Sequence, residues 1–401
     1  MEDGCGMARR APGRIALAAA FLLGSFLCLC PLSLSSQTLD FEGLLSGWAA
    51  VSGEKSTPSQ AGFRWLPAFT LAKSLGGESL LDAEFSVNAW GSADIYAIDD
   101  IRTNGRVKLY RGQARFSSPR FEARLGLQKI SFGSAAFLRP LMWFDRLDPR
   151  DPLQITDGVY GLLLRYYFLT NANIWLWGLY GNDDPKGWEL LPTAKRRPEL
   201  GGRVQTPLGK GELAFSFHHR QASFKTKPGD SGSGFSPAAS SSATIPENRY
   251  ALDGKWNLGV GVWFEAVLIR QDDERLPYSR QRSFVVGLDY TFDLGNGLHV
   301  LGEYFEYASG KDSWSDGEAT RFLAVSLNYS VGILDNLTGI VYYDRENRDI
   351  YSFFRWQRTY DRWNFHLMAF WNPERFQIYR TETGANLFAG KGIQVMAVFH
   401  Y

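Results

Sequence analysis

The stretch SLLDAEFSVNAW, Ser79–Trp90, is built on a two-residue repeat. Leu81, Ala83, Phe85, Val87 and Ala89 fall on one side of an extended chain, and Asp82, Glu84, Ser86 and Asn88 on the other. A helix would scatter both sets around its circumference; a strand separates them. The separation recurs in SFVVGLDYTF, Ser283–Phe292, where Phe284, Val286, Leu288, Tyr290 and Phe292 oppose Ser283, Val285, Gly287, Asp289 and Thr291. In GIQVMAVFHY the apolar set is Ile393, Val395, Ala397, Phe399 and Tyr401. Alternation over about 9–11 residues is the length a strand needs to cross a bilayer.

Working outward from these stretches places eighteen segments. They cover residues 39–51, 62–73, 79–91, 105–116, 121–131, 158–168, 173–182, 198–207, 211–222, 248–257, 260–271, 281–293, 297–308, 320–330, 336–345, 350–359, 362–372 and 391–401. Sixteen is the alternative count, should one hairpin merge. Turns such as SLGGE, SSPR, GKG, DLGNG and YDR are short, whereas FKTKPGDSGSGFSPAASSSATIPEN and NPERFQIYRTETGANLFAG are long. Short turns on one side and long loops on the other predict an all-β, antiparallel, up-and-down transmembrane barrel. An even strand number places both termini together, on the short-turn, periplasmic side. A soluble sandwich or propeller also alternates. Against it stand aromatics near segment ends (Trp48, Trp65, Tyr110, Phe116, Tyr329, Trp363), expected as interfacial girdles, and the lack of any fixed-period blade motif.

The leader and composition agree with that address. Arg9, Arg10 and Arg14 precede an apolar run from Ile15 to about Leu32, then Ser33, Ser35 and Ser36, which reads as a secretory signal peptide over 1–36. The barrel then occupies 37–401. Cys5, Cys28 and Cys30 all lie in the leader, so the mature chain carries no thiol, which excludes disulfides, cysteine-zinc sites and thiol catalysis. With 43 basic and 42 acidic residues the chain lacks the basic surplus of a nucleic-acid binder. Arg outnumbers Lys by 31 to 12. Beyond the leader no apolar run reaches the roughly 18 residues of a spanning helix.

Two short stretches carry a family resemblance. KGIQVMAVFHY resembles the closing strand that outer-membrane proteins present to the barrel assembly machinery, with Tyr401 where Phe is usual. GLQKISFG, Gly126–Gly133, resembles a stretch of porin-like barrels such as the alginate-export and phosphate-selective groups. The resemblance implies a substrate channel of the bacterial outer membrane, in contact with lipid and lipopolysaccharide, with homo-oligomers common among porins. It implies no cofactor and no enzymatic activity.

If the apolar faces meet lipid, the polar faces line a lumen. Arg111 and Arg115 with Gln113, then Arg124, Arg165, Arg203 and Arg220, form an expected basic arc. Asp82 and Glu84, then Asp253, Glu265, Asp289 and Glu303, form an expected acidic arc. Segregated signs would set up a transverse field that selects permeants, and guanidinium groups suit bidentate oxyanion recognition. The bland alternative is cross-strand pairing, for instance of Glu122 with Arg124 or Arg111.

One stretch breaks the alternation. RPLMWFDRLDPRDPLQ, Arg139–Gln154, is apolar and doubly charged where a surface loop would be small and polar. Leaving its large side chains in water costs about 1.5–3 kcal/mol each. In porins the third external loop folds inward, so the resemblance implies a constriction loop around 133–157. Leu141, Trp143, Phe144 and Leu147 are expected on the inner wall, with Asp145, Asp148 and Asp151 turned to the basic arc and Arg139, Arg146 and Arg150 beside them. The alternative is a lid over the barrel mouth.

Weaker signals point nowhere specific. His218 and His219 are strand neighbours on opposite faces and make a poor metal pair. Asn182–Asp184 and Asp272–Glu274 read as solvated loop charge. The functional expectation is a passive diffusion channel for small hydrophilic, anionic solutes. An export pore for an anionic polysaccharide, a non-conducting structural barrel and a barrel enzyme are the rivals.

Overall fold

The computed structural model describes residues 37–401 apart from 54–57, 98, 226–241, 272, 274, 275, 277, 312–317 and 374–387. The proposed leader, residues 1–36, lies outside the described residues. Strand formation follows the alternation. The strands are β1 (Gln37–Ser52), β2 (Ser59–Gly76), β3 (Ser79–Ile95), β4 (Ile101–Ser117), β5 (Phe121–Gln128) and β6 (Val159–Tyr167). Next come β7 (Asn173–Tyr180), β8 (Pro198–Leu208), β9 (Gly211–Lys225), β10 (Ser242–Asn257), β11 (Gly261–Gln271) and β12 (Arg280–Phe292). The last six are β13 (Leu298–Gly310), β14 (Glu318–Ser330), β15 (Asp335–Asp344), β16 (Asp349–Thr359), β17 (Trp363–Trp371) and β18 (Lys391–His400). Among the described residues the count is eighteen, not sixteen. The ends differ from the expected ones most at β10, which starts six residues earlier (242 against 248), and at the β3–β4 hairpin, where β3 ends four residues later (95 against 91) and β4 starts four earlier (101 against 105).

Each strand pairs antiparallel with its sequence neighbours, and β1 pairs with β18 from Leu44–His400 to Ser52–Gly392, which closes the sheet. Closure leaves no free edge, so the ladder can pair its backbone groups within the sheet, as an apolar solvent demands. Tyr401 completes the seam. Its backbone exchanges two 3.2 Å hydrogen bonds with Gly43, and its hydroxyl accepts from Trp65 Nε1 at 2.8 Å. A phenylalanine could not make that last bond.

The outward face is apolar. Phe63, Trp65, Phe85, Leu125, Leu176, Phe215, Leu288 and Val395 are each 46–61% exposed, along with many more like them. So large an apolar belt is not stable in water and marks a surface that hydrocarbon solvates. No helix of the described residues is long and apolar enough to cross a membrane. Aromatics gather at the terminus end of this belt, where Phe41 lies 4.5 Å from Phe69 and Trp363 lies 4.9 Å from Phe399. Trp48 is not one of them. It sits in the inward phase of β1 with Ser46 and Ala50, is 8% exposed, and donates to Gln60 at 3.0 Å.

A bulge corrects the phase of β4. Ser86 faces Arg111 and Val87 faces Leu109, which leaves Tyr110 unpaired between them. The extra residue lets Lys108 and Arg111 share the inner face although three positions apart.

The inner face departs most from a water-filled lumen lined by polar residues. Trp48, Trp263, Val285, Phe305, Phe322, Tyr342, Phe353, Met368 and Met396 point inward from β11–β18 and β1 and bury against Ala135, Phe137 and Leu138. On the other wall Leu163, Trp177, Leu179 and Val267 bury against Ile130, Leu141, Trp143 and Phe144. The core of this protein lies inside the barrel. It is built by the segment between β5 and β6.

The resembling stretch Gly126–Gly133 is where that segment leaves the wall. Gly126 has φ +120, and a Cβ there would stand 2.2 Å from Gly112 O. Gly133 has φ +96, and its Cβ would meet Glu265 Oε1 at 2.4 Å. Gln128 ties the end of β5 down by donating to Arg124 O and Gly161 O at 3.2 and 2.9 Å. Gly126→Val therefore forces both an unfavourable φ and a backbone clash. The expected outcome is a lower temperature for conversion of the compact to the unfolded band on semi-native gels, by several degrees, with Gly332→Ala, whose added Cβ meets nothing within 4 Å, unchanged.

Candidate functional site

The segment 129–158 enters the lumen and crosses it in two limbs. The first is hung on two carboxylates. Glu265 on β11 accepts from Ala135 N at 2.8 Å and Leu141 N at 3.2 Å. Glu303 on β13 accepts from Ala136 N at 2.6 Å, Phe137 N at 2.9 Å, Leu138 N at 3.2 Å and Trp263 Nε1 at 3.1 Å. Irregular backbone buried inside a barrel must find acceptors outside itself, and here two side chains supply them. A buried amide left without an acceptor costs about 1–3 kcal/mol. Glu265 and Glu303, expected on an acidic arc facing solvent, face inward but are occupied by the insert.

Apolar packing completes this limb. Phe132 stacks on Trp177 at 5.7 Å, and Phe144 meets Trp177 edge-on at 5.4 Å and His218 at 5.1 Å. Leu141, Trp143 and Phe144 are buried against the wall, as their chemistry requires, while Leu147 is half-buried. His218 accepts from Trp177 Nε1 at 3.1 Å and lies 3.2 Å from Glu199, whereas His219 points outward to Asn248. Among the described residues no group of three or more metal-ligating side chains forms.

A second insertion went unread in the sequence. The connection 181–197 also folds inward. Trp188 donates to Arg139 O at 2.8 Å and stacks on Phe305 at 5.2 Å. Glu189 reaches Arg249 at 2.6 Å and Arg220 at 3.2 Å, and both guanidinium groups also hold Glu247, at 2.7 and 2.6 Å. The run Trp188-Glu189-Leu190-Leu191 inside a loop was the available signal, of the same kind as the stretch that was read.

The charges do not segregate into two arcs. Arg203 grips Asp253 with two bonds of 2.6 and 2.7 Å, and Arg115 holds Asp82 at 2.8 Å, each joining an expected basic residue to an expected acidic one. Gln113 donates to Glu84 at 2.7 Å. Arg124 and Arg165 share Glu122 at 2.9 and 3.2 Å. Desolvation explains the pairing: inside a narrow barrel an isolated charge costs more than a matched one. Arg111 donates to Tyr110 O and Thr156 O. Asp289 stands at the terminus rim, 3.8 Å from His299.

The insert's acids also differ from expectation. Asp145 pairs with Arg139 at 3.5 Å and Asp148 with Arg150 at 2.9 Å, both within the segment, because nearest neighbours in the chain reach them first. Arg146 is half-buried. Asp151 does look outward from the insert, but into the field of Arg64 on β2 and Arg355 on β16. The second limb, 148–158, thus lies along β16, β2 and β4, where Lys108 is bound to Asp157. Burial raises the Asp151 carboxyl above its ordinary range, against the attraction of Arg64. In the second insertion, burial lowers the Lys186 ammonium from its ordinary range.

No protein-family model matches this chain, and no curated protein matches it by sequence. Solved structures do match in shape. OccAB4 of Acinetobacter baumannii aligns at 7% identity with a TM-score of 0.54, covering 93% of this chain and 100% of that chain. OmpT, an outer membrane protein of Vibrio cholerae, in its trimer form, aligns at 11% identity with a TM-score of 0.52, covering 92% and 100%. Such likeness establishes the fold, a closed antiparallel barrel of the outer-membrane type.

Removing a clamp loosens what it holds. Glu303→Ala is expected to raise amide hydrogen exchange at Ala136, Phe137 and Leu138 by at least tenfold, equal to about 1.4 kcal/mol of lost protection. Glu306→Ala, three positions on and paired with Arg321 instead, leaves those amides unchanged.

The sign of the Asp151 effect is also fixed. A carboxyl raised by folding contributes less stability as pH climbs from the ordinary carboxylate range through its folded value, and the loss persists at neutral pH. Asp151→Asn keeps an acceptor for the Leu153 N–H, now at 3.0 Å, without ionising. Its unfolding temperature should exceed wild type at pH 7, and the difference should vanish near pH 3.

Proposed function

We propose that this chain is a porin-like barrel of the bacterial outer membrane that passes small hydrophilic solutes passively through a lumen narrowed by residues 133–157. The carrying observation is the position of that segment: anchored at mid-barrel by Glu265 and Glu303, it spans the lumen from β13 to β2. A loop so placed sets the cross-section of any passage. On the terminus side Arg115, Arg124 and Arg165 face the lumen, paired with Asp82 and Glu122, and in this reading their guanidinium groups tune passage toward small anions.

In this reading both termini face the periplasm, the apolar belt meets lipid and lipopolysaccharide, and the strand ending at Tyr401 engages the barrel assembly machinery. Homo-oligomers are part of the proposal, as the trimer form of the Vibrio cholerae protein is of that protein. The dry packing of Leu138, Val285 and Met368, each no more than 0% exposed, favours a second reading, a structural barrel with a permanently closed lumen.

Planar-bilayer recording of the purified chain separates the two. The channel reading expects small unitary steps that grow severalfold when residues 139–152 are deleted, since β5 and β6 still pair from Gln128–Val159 onward. Unchanged step size overturns the constriction, and silence of the intact chain favours the closed barrel. In a salt gradient the reversal potential should lie on the anion side and move toward the cation side when Arg111, Arg115 and Arg124 become Glu.

A further inference from the structure

The two sides of the insert meet the barrel differently. Toward β9–β15 the contact is apolar packing around the two carboxylate clamps, and among the described residues the buried side-chain atoms without a partner there are Tyr307 Oη and, on the insert, Trp143 Nε1. Toward β16–β18 and β1–β3 apolar side chains such as Met368 and Met396 are interspersed with polar groups that are unmated. Ser46 Oγ, both amide atoms of Asn88, Trp90 Nε1 and Ser92 Oγ on β1 and β3 have no hydrogen-bond partner, although these residues are 0–8% exposed. Across the barrel closure Gln394 Oε1, His366 Nδ1 and Arg355 Nε are in the same condition, as is Thr156 Oγ1 on the second limb itself.

These atoms form one band. Gln394 is opposite Ala50, which is opposite Gln60, and Met396 on the same strand is opposite both His366 and Trp48. Ser46 is opposite Arg64, which is opposite Trp90. At the loop side the band joins a hydrogen-bonded chain, Trp48 to Gln60 to Asp94, with Asn104 also on Asp94 at 3.0 Å. At the terminus side it opens beside Asp82 and Glu84. Buried polar groups in folded proteins find partners, and a band that mixes donors with acceptors requires partners that both donate and accept.

We propose that the band is a hydrated seam, and that water and small hydroxyl-bearing solutes pass between the limb 148–157 and the wall β16–β18/β1–β3, with Asp151, Arg64 and Arg355 flanking the path. The location deepens the channel reading and rests on it for solute passage, but hydration of the seam stands alone. Solutes bearing hydroxyls fit because the orphaned set mixes donors (Trp90, Arg355), acceptors (Gln394) and groups that serve as either (Ser46, Ser92, Thr156). On the β9–β15 side the insert's amides are met by Glu265 and Glu303 and its side chains by apolar packing.

The mature chain has no cysteine, so single substitutions report cleanly. Ser46→Cys, Ser92→Cys and Gln394→Cys, reconstituted in lipid vesicles, should react with 2-(trimethylammonium)ethyl methanethiosulfonate at least tenfold faster than Val285→Cys and Ala324→Cys, read by mass. Labelled Ser92→Cys should also show reduced unitary conductance. Equal rates on the two walls overturn the seam. Labelling of the seam by a barrel that never conducts sinks the channel reading and upholds the seam. Hydroxyl-radical footprinting of the unaltered chain avoids any folding defect: Trp90 should oxidise several times faster than Trp263, and the reverse order overturns the proposal.

Discussion

Hydrocarbon supplies no hydrogen bonds, and that single constraint organises the protein. Every backbone N–H and C=O of a spanning strand must be met by a neighbouring strand. β1 therefore has to find β18, and residues as remote as Trp65 and Tyr401 become partners at the closure. Once the cylinder is shut, its outside is fixed as apolar. Its inside is left to be filled by something other than lipid.

What fills it is chain, and the filling obeys the same rule. Segment 129–158 is irregular, so its amides lack a ladder, and Glu265 and Glu303 take five of them. Carboxyl groups suit this work because each carries two oxygens and an oxygen can accept more than one bond. The apolar side chains of the same segment bury against walls that are themselves apolar. The inner face is thus divided: a side whose carboxylates and apolar side chains grip the insert, and a side where unmated polar groups lie among apolar ones. Permeation, if water fills that second side, follows from the asymmetry and not from any uniform lining.

Much of this could be read along the chain. Strand number and the lipid-facing set were legible because alternation is local. The inward role of Arg139–Gln154 was legible because a Trp-Phe pair in a loop has to be covered. The pairing of Arg203 with Asp253 and of Arg115 with Asp82 was not, since strand assignments alone say which face a charge takes and not which neighbour it reaches. Trp48 was assigned to the girdle because an aromatic near a strand end fits either face. The second insertion, around Trp188, escaped notice for want of a contrast as sharp as the first.

The sequence by itself determined a closed antiparallel barrel, the outward face of its strands, the absence of cysteine from residues 37–401, and a segment too apolar to remain outside. Only the tertiary structure decided what that segment touches. Glu265 and Glu303 stand 124 to 167 residues away from the amides they hold, and the bulge at Tyr110 decides the phase of β4. Periodicity is a property of adjacent residues, whereas register, clamps and the unmated band arise from contacts between strands distant in the chain, which no local pattern encodes.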